Sequence, residues 1–376
     1  MRQHLSAWWN ALSRPAQWAF AVPAIVALVV LPVYPPPVLN TPDTNFGGVM
    51  AQFGILALVA IGLNVVVGQT GLLNLGYVGF YAVGAYSVAL LTSPNSPWNR
   101  GWSWWACLPV AAIVTGVAGL LLGVPTLRLR GDYLAIVTLG FGEIVRLLAD
   151  NLDNVTRGSL GLENVAYPHV GESATKPHGV FSSGNLGGHG GFFERANSGA
   201  WWFWLGIALV VLVLLVVGNL ERSRVGRAWV AIREDEDVAE IMGVPTFKFK
   251  LWSVAIGAMI GGVSGAMYAG QVQCVDPAGF DVINSRLFLV AVVLGGQGNK
   301  LGVIVGAFVI VYLPNRLMSV EVGGQSLGDF KYLFFGLALV VLMIFRPQGL
   351  LPARQKLLAF GGKVRDMVGR KAEVGQ

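Results

Sequence analysis

Charge is the scarcest thing in this chain. Only 12% of its 376 residues are Asp, Glu, Lys or Arg, where a soluble domain carries about 25%. With 54% hydrophobic residues it lacks the polar side chains to clothe a water-facing surface, which excludes a soluble globular protein. Cysteine is scarcer still: Cys107, inside an apolar run, and Cys274, in a short loop, make no disulfide framework. Of the 4 histidines, His169, His178 and His189 share one polar segment with no HExxH-type spacing, so they are read as loop histidines and no metal site is expected. The glycine-rich GGQGNKLG turn (Gly295–Gly302) lacks the Gly-Lys-Ser/Thr ending that sets a lysine on phosphate and a hydroxyl on magnesium. No paired Asp, His or Ser residues mark an intramembrane enzyme. The chain is read as a non-enzyme without a cofactor or an ATPase motif of its own.

What is abundant is apolar sequence in blocks. Runs cover Trp18–Val33, Phe46–Val67, Leu75–Leu91, Trp102–Val124, Tyr133–Leu148, Trp201–Val217, Leu251–Ala269, Leu287–Leu294, Leu301–Leu313 and Tyr332–Phe345. They do not alternate in polarity as the roughly ten-residue strands of a membrane barrel would. The fold class is therefore an all-α polytopic membrane protein of roughly eight to ten transmembrane helices. Several runs fall short of the ~20 residues that a perpendicular span needs, Leu287–Leu294 most of all, so short, broken or re-entrant helices are expected. The first run, kinked near Pro23, is kept as a span and not as a cleaved leader, because Tyr34, Pro35, Pro36 and Pro37 follow it instead of a small-residue cleavage site. The 50 glycines suit helices packed closely in lipid. Small-xxx-small spacings recur at Gly119/Gly123, Gly257/Gly261, Gly261/Gly265 and Gly302/Gly306.

Lysine and arginine set the orientation. They gather at Arg2 and Arg14, at Arg128 and Arg130, in the group Arg222, Arg224, Arg227, Arg233, Lys248 and Lys250, and in a basic tail that includes Arg354, Lys356, Lys363, Arg365, Arg370 and Lys371. Alternating crossings that start inside put all of these groups, and both the N- and C-termini, in the cytoplasm. The net charge of +6 then reflects membrane orientation, not nucleic-acid binding. The segment 150–200 falls outside and, rich in Gly, Ser, Asn and His, reads as a loosely ordered surface loop. Trp98, Trp102, Trp104 and Trp105, with Trp201, Trp202 and Trp204, fall at outer ends, where an aromatic belt is expected. The domain plan is a cytoplasmic segment 1–17, a transmembrane domain 18–350 that includes the outer loop 150–200 and a cytoplasmic segment 221–250, and a cytoplasmic tail 351–376.

Two sets of polar residues within the apolar runs are candidates for lining a solute path. Glu143 and Arg146, in GFGEIVRLL, can pair on one helix face; they either line a path or form an interfacial ion pair that caps a bundle. Gln69, Thr70, Asn74 and Tyr77, in GQTGLLNLGYVGF, either line a path or satisfy backbone groups freed by a glycine break. The Gly68–Gly71 stretch echoes Gly296-Gln297-Gly298, each preceding a Gly-rich span and followed by Leu-Gly (Leu75-Gly76, Leu301-Gly302). As an internal repeat the echo brings Gln297 to the path; otherwise it is two glycine turns packed alike.

The most polar element between two spans is ERSRVGRAWVAIREDEDVAEIMGVP (Glu221–Pro245). Ala231, Val238, Ile241 and Met242 share a helical face that Glu234 and Asp235 interrupt, so one continuous amphipathic helix is excluded. A break near Asp235 resolves this. Asp235 or Asp237 then caps a second short helix that runs to Met242, with Gly243 past its end and Pro245 blocking continuation. Its small apolar edge either docks in a groove of a soluble partner or rests on the lipid headgroups beside its basic flank.

Four stretches, GLNVVVGQTGLLNLGYVGFYAVGAY (Gly62–Tyr86), LRLRGDYLAIVTLGFGEIVRLL (Leu127–Leu148), GRAWVAIREDEDVAEIMGV (Gly226–Val244) and FRPQGL (Phe345–Leu350), resemble the permease subunits of branched-chain amino acid ABC importers, the LivM type in particular. With the LGGQGNKLG turn they cover most of 62–350. The EDVAEIMG segment is similar to the Glu-Ala-Ala…Gly motif by which such permeases sit in a cleft of their ATPase. Ala239 and Gly243 match its small residues, Val238 replaces an alanine, and Asp237 stands where a glutamate is usual. The resemblance implies that Arg233, Glu234, Asp237, Val238, Ala239, Ile241, Met242 and Gly243 form the ATPase-coupling element. It also implies a heteromer in a bacterial plasma membrane: this chain, a second LivH-like permease, two LivG/LivF-like ATPases carrying ATP and magnesium, and an extracytoplasmic binding protein. Urea and amide permeases belong to the same family and are the alternative reading. A stand-alone secondary transporter is less favoured, because the spans are almost free of ionisable residues.

Overall fold

The computed structural model describes residues 44–317 except 130, 173–175, 186 and 189, with 23, 26–37, 39 and 41 before them and 321–322, 325–326, 330–345 and 349–351 after. The segment 1–17, residues 18–22, 24 and 25 of the first apolar run, and the tail beyond 351 lie outside the described residues. The main helices are α1 (Phe46–Leu63), α2 (Tyr77–Thr92), α3 (Trp104–Thr126), α4 (Asp132–Asn151), α5 (Ser198–Arg222), α6 (Arg224–Glu234), α7 (Glu236–Ile241), α8 (Thr246–Val272), α9 (Val282–Gly295), α10 (Lys300–Leu317) and α11 (Lys331–Phe345). Strand is confined, among the described residues, to two-residue pairings such as β1 (Leu162–Glu163) with β2 (Cys274–Val275). Among the described residues, five segments are long and apolar enough to cross a membrane: Phe46–Gln69, α3, α5, α8 and α10. The short runs at α2 and α9 form helices of 16 and 14 residues, as expected of broken spans.

The bundle is built around α1, whose residues are nearly all buried. Asn45 caps it by accepting from the Gly47 N–H, and its last turns widen into a π-helix over Asn64–Gln69. Helix α5 runs parallel to it. Asn197 donates to Asn45 at one end (2.7 Å), the two backbones touch at Gly54 and Gly206, and Gln69 donates to Glu221 at the other (2.6 Å). Helix α8 returns antiparallel and packs on α1, α2 and α3. The α2–α8 crossing is tight because Gly84 faces Gly262: a Cβ on Gly84 would stand 2.3 Å from the Gly262 carbonyl oxygen. Small residues thus let backbones approach where lipid supplies no hydrophobic drive.

The contacts sort the connections into two ends. At one end lie the segment after α5, the α1 terminus, and the turn between α9 and α10, against which residues 349–351 lie. At the opposite end β1, from the 150–200 segment, pairs with β2 beyond α8, and Ser93 after α2 donates to the Glu163 carbonyl. This agrees with the alternation expected from the basic residues.

Two expectations change. The 150–200 segment is not simply a loose surface loop: Leu162, Val165, Val180 and Phe181 are buried against the helix ends. Its alternating apolar residues find a core that lies far away in sequence. Trp98, Trp102 and Trp105 are exposed, as belt residues would be, but Trp104 and Trp202 are buried. Their rings meet edge to face at 5.7 Å beside Gly270, and their indoles donate to Ala266 O and Phe181 O. Here tryptophan pins α3, α5 and α8 together.

Candidate functional site

Two capping residues shape the segment between α5 and α8. Ser223 is extended, and its hydroxyl accepts from the Val225 N–H (3.1 Å) to open α6. Asp235 is extended again (φ −159°, ψ 115°), and its carboxylate accepts from the Val238 N–H (3.0 Å) to open α7. Glu236 and Asp237 follow in the first turn, where negative charge meets the positive end of the helix. Met242 closes α7, and Gly243 takes the left-handed conformation (φ +86°) that lets the Val244 N–H reach the Ala239 carbonyl (3.0 Å). The break at Asp235 and the stop at Gly243 fall where the sequence places them.

Three contacts fix this L-shaped element to the bundle. The fully buried Trp229 donates its indole N–H to Phe249 O in the first turn of α8 (2.8 Å). Glu236 pairs with Lys250, whose side chain is only 5% exposed. Arg233 donates to the Gly68 carbonyl and lies against Gly71. Burial lowers the Arg233 pKa from the ordinary guanidinium value, and the Glu234 carboxylate opposes that shift. Ala239 is buried at 4% exposure, whereas Val238, Ile241 and Met242 are 54%, 84% and 77% exposed. Glu234, Asp237 and Gly243 are exposed as well. The eight candidate coupling residues therefore form one contiguous element that faces outward with its large apolar side chains and inward with its alanine.

The candidate path residues divide. Gln69 and Thr70 end the π-turn next to that element. Gln69 Nε2 donates to Glu221 (2.6 Å), whose other carboxylate oxygen takes a bond from Lys300 (2.6 Å). Thr70 donates to the Val66 carbonyl (2.6 Å) and contacts the Ser253 hydroxyl (3.3 Å). The Gly296–Gly298 turn carrying Gln297 abuts the same place, since the Gly298 N–H donates to Asn64 Oδ1 (2.8 Å). The two similar glycine turns are thus neighbours. Asn74 and Tyr77 sit where the chain turns back into α2. Asn74 accepts from the Gly76 N–H (3.1 Å), Thr138 accepts from the Leu75 N–H (3.1 Å), and Ser285 donates to the Leu75 carbonyl. Tyr77 donates to Gly257 O (2.6 Å) and is fully buried. These groups satisfy backbone polar atoms at a helix break inside the bundle. Glu143 and Arg146 make a bidentate pair on α4, about a third and a quarter exposed, and their hydrogen bonds are separate from the Gln69 cluster.

Sequence reasoning missed Glu221, Lys300, Asn64, Thr138, Trp229, Lys250, Ser253 and Ser285. Asn64, Ser253 and Ser285 carried a signal, as lone polar residues in apolar blocks. Glu221 and Lys300 looked like ordinary end-of-span charges, and their meeting depends on the parallel α1–α5 packing.

Residues 45–343 match the family described as "Branched-chain amino acid transport system / permease component". The chain is 39% identical over 332 residues to the high-affinity branched-chain amino acid transport system permease protein LivM of Escherichia coli, covering 87% of this chain and 74% of the relative. It is 24% identical to the permease protein LivH of the same organism over 78% of this chain and 90% of that one. It is 21% identical to the nucleoside ABC transporter permease protein NupC of Lactococcus lactis, over 76% and 80% of the two chains. No solved structure matches it. Long apolar helices, a match spanning most of the chain and identity well above 30% agree, and the chain belongs to the branched-chain amino acid transport permease family, as a multi-pass membrane permease subunit.

Proposed function

We propose that this chain is the permease through which an ABC importer of a bacterial plasma membrane brings in branched-chain amino acids, and that α7 is the knob its ATPase subunit grips. The observation that carries the reading is the inverted burial of α7, with Ile241 and Met242 in solvent and Ala239 beneath. A helix end rigidly capped by Asp235 and Gly243 and pinned through Lys250 and Trp229 presents these side chains pre-organised, which lowers the cost of docking. ATP and magnesium act on the partner subunits. A LivH-like second permease and an extracytoplasmic binding protein complete the assembly, and the similarity to both LivM and LivH favours such a pairing. The amino-acid substrate follows the LivM relatives. The alternative remains a urea or amide cargo, and a nucleoside permease among the similar proteins shows that relatives differ in cargo, so the substrate is decided by uptake with the cognate binding protein.

The docking role is tested with Ile241→Asp and Met242→Asp. Both side chains are exposed, so the free permease should keep its fold. Seating either in a cleft buries an apolar side chain worth about 2–3 kcal/mol, and its loss should weaken ATPase association roughly 30- to 150-fold. Co-purification of the ATPase at wild-type yield with both variants would refute the role. Ala239 and Gly243 suit this test less well, because one is buried and the other holds a left-handed turn.

A further inference from the structure

We propose that Gln69, Glu221 and Lys300 form a clasp at the docking end that has to open in each transport cycle, and that they are positioning residues for coupling. This rests on the docking reading of α7. The clasp joins three helices at points distant in sequence: the π-terminus of α1, the last turn of α5 and the first residue of α10. One carboxylate holds it, with Glu221 Oε1 accepting from Gln69 and Oε2 from Lys300, each at 2.6 Å. The docking segment is tied to the same turn of α1 through Arg233 and the Gly68 carbonyl. The α9–α10 turn is tied to it through Gly298 and Asn64. A displacement of α6 and α7 is therefore delivered to residues 64–69 as well as to the start of α8.

That turn is built to take a second arrangement. It is a π-helix, which accommodates an extra residue per turn and is frequent at functional sites. Gln69 is buried, yet its Oε1 has no hydrogen-bond partner among the described residues. The Lys300 ammonium, on the same carboxylate as Gln69, and the Arg233 guanidinium, on the Gly68 carbonyl beside it, are donors in the same network, so release of Glu221 offers that oxygen a partner it now lacks. Glu221 and Lys300 are about a third and a quarter exposed, so both are hydrated when they separate. Hydrogen-bond and salt-bridge networks that have two discrete arrangements are among the carriers of coupling between distant parts of a fold.

The test is to lock the clasp. In the reconstituted importer, Glu221→Cys with Lys300→Cys is joined by a short cleavable bis-maleimide. Cys107 is buried and Cys274 lies at the opposite end of the bundle. We expect uptake to fall at least tenfold on cross-linking and to return on cleavage, with the ATPase still associated throughout. A merely structural contact is indifferent to being locked in its resting geometry, so uptake within twofold of the uncross-linked protein would overturn the proposal. If the double variant does not assemble, Glu221→Gln carries the test. It keeps an acceptor for Gln69 and removes the carboxylate charge that holds Lys300, so substrate moved per ATP hydrolysed should fall at least threefold. An unchanged ratio would overturn the clasp. Absence of the ATPase from the unaltered, wild-type importer would remove the docking reading and the clasp with it, an outcome distinct from a locked clasp that still transports.

Discussion

Removing the Glu236 carboxylate should loosen α7 without unfolding the bundle. Glu236→Ala leaves the Lys250 ammonium, on a side chain 5% exposed in the first turn of α8, without its ion-pair partner. A unit pair in contact at an effective dielectric of ~20 attracts by about 4 kcal/mol. Part of that only offsets the desolvation of the lysine, and Glu236 itself keeps solvent at 30% exposure. Breaking a well-buried pair costs about 3–5 kcal/mol; with one partner partly wet, about 2–3 kcal/mol is expected here. The loss should be local, because Trp229 and Arg233 still hold α6. Amide hydrogen exchange in detergent should speed up by roughly 30- to 150-fold at Val238–Val244, and exchange in α1 should be unchanged. The double variant Glu236→Ala with Lys250→Met removes the orphaned charge along with its partner and should recover most of the protection. Exchange in α7 that is unaltered by Glu236→Ala would refute the reasoning. A double variant no better than the single one would show that Lys250 is not the source of the cost.

Two further predictions concern glycine. Gly243→Ala puts a Cβ in open space but in a left-handed turn at φ +86°, so it should cost about 1–2 kcal/mol through backbone strain alone; Gly243→Asn should cost less, as judged by exchange at the α7 terminus. Gly84→Ala drives a methyl into the Gly262 carbonyl at 2.3 Å and must part α2 from α8, which should lower thermal stability in detergent by several degrees, while Gly140→Ala, with nothing within 4 Å, should leave it unchanged.

What could be read from the chain before its structure was whatever is decided locally. The apolar runs become helices with ends within a few residues of the expected ones, and the Asp235 break follows from two carboxylates interrupting an apolar face. Capping needs only a side chain and an amide two or three residues on, so Asp235 announces itself, as does Gly243 past the helix end, whereas the Ser223 cap was seen only in the structure. Long-range pairing does not. Gln69 meets Glu221 because α1 and α5 run parallel with Gly54 against Gly206, and a one-turn shift of that stack would separate them. The roles of Asn74 and Tyr77 were open for the same reason: whether a polar group lines a path or satisfies backbone depends on what else reaches the break, and Thr138, Ser285 and the Gly257 carbonyl reach it.

The same division explains α7. Its wheel shows Val238, Ile241 and Met242 as an apolar edge, and apolar edges ordinarily face the core. Here the large residues point out, while Ala239 and even Lys250 are covered. Steric demand accounts for the inward side. Ala239 is covered where α7 lies against the start of α8 beside the Lys250–Glu236 pair, a place that a small side chain suits. The outward side has no such intramolecular account, for nothing in the bundle is gained by holding Ile241 in water. Exposed apolar residues on a flexible tail need no explanation, but these stand on a helix fixed at both ends by an aspartate cap and a left-handed glycine. A fold that spends ordering entropy to display hydrophobic side chains must recover it elsewhere. The proposed cleft of a soluble partner is where that recovery would occur, and the apolar edge of α7, more than its match to any motif, is the reason to propose one.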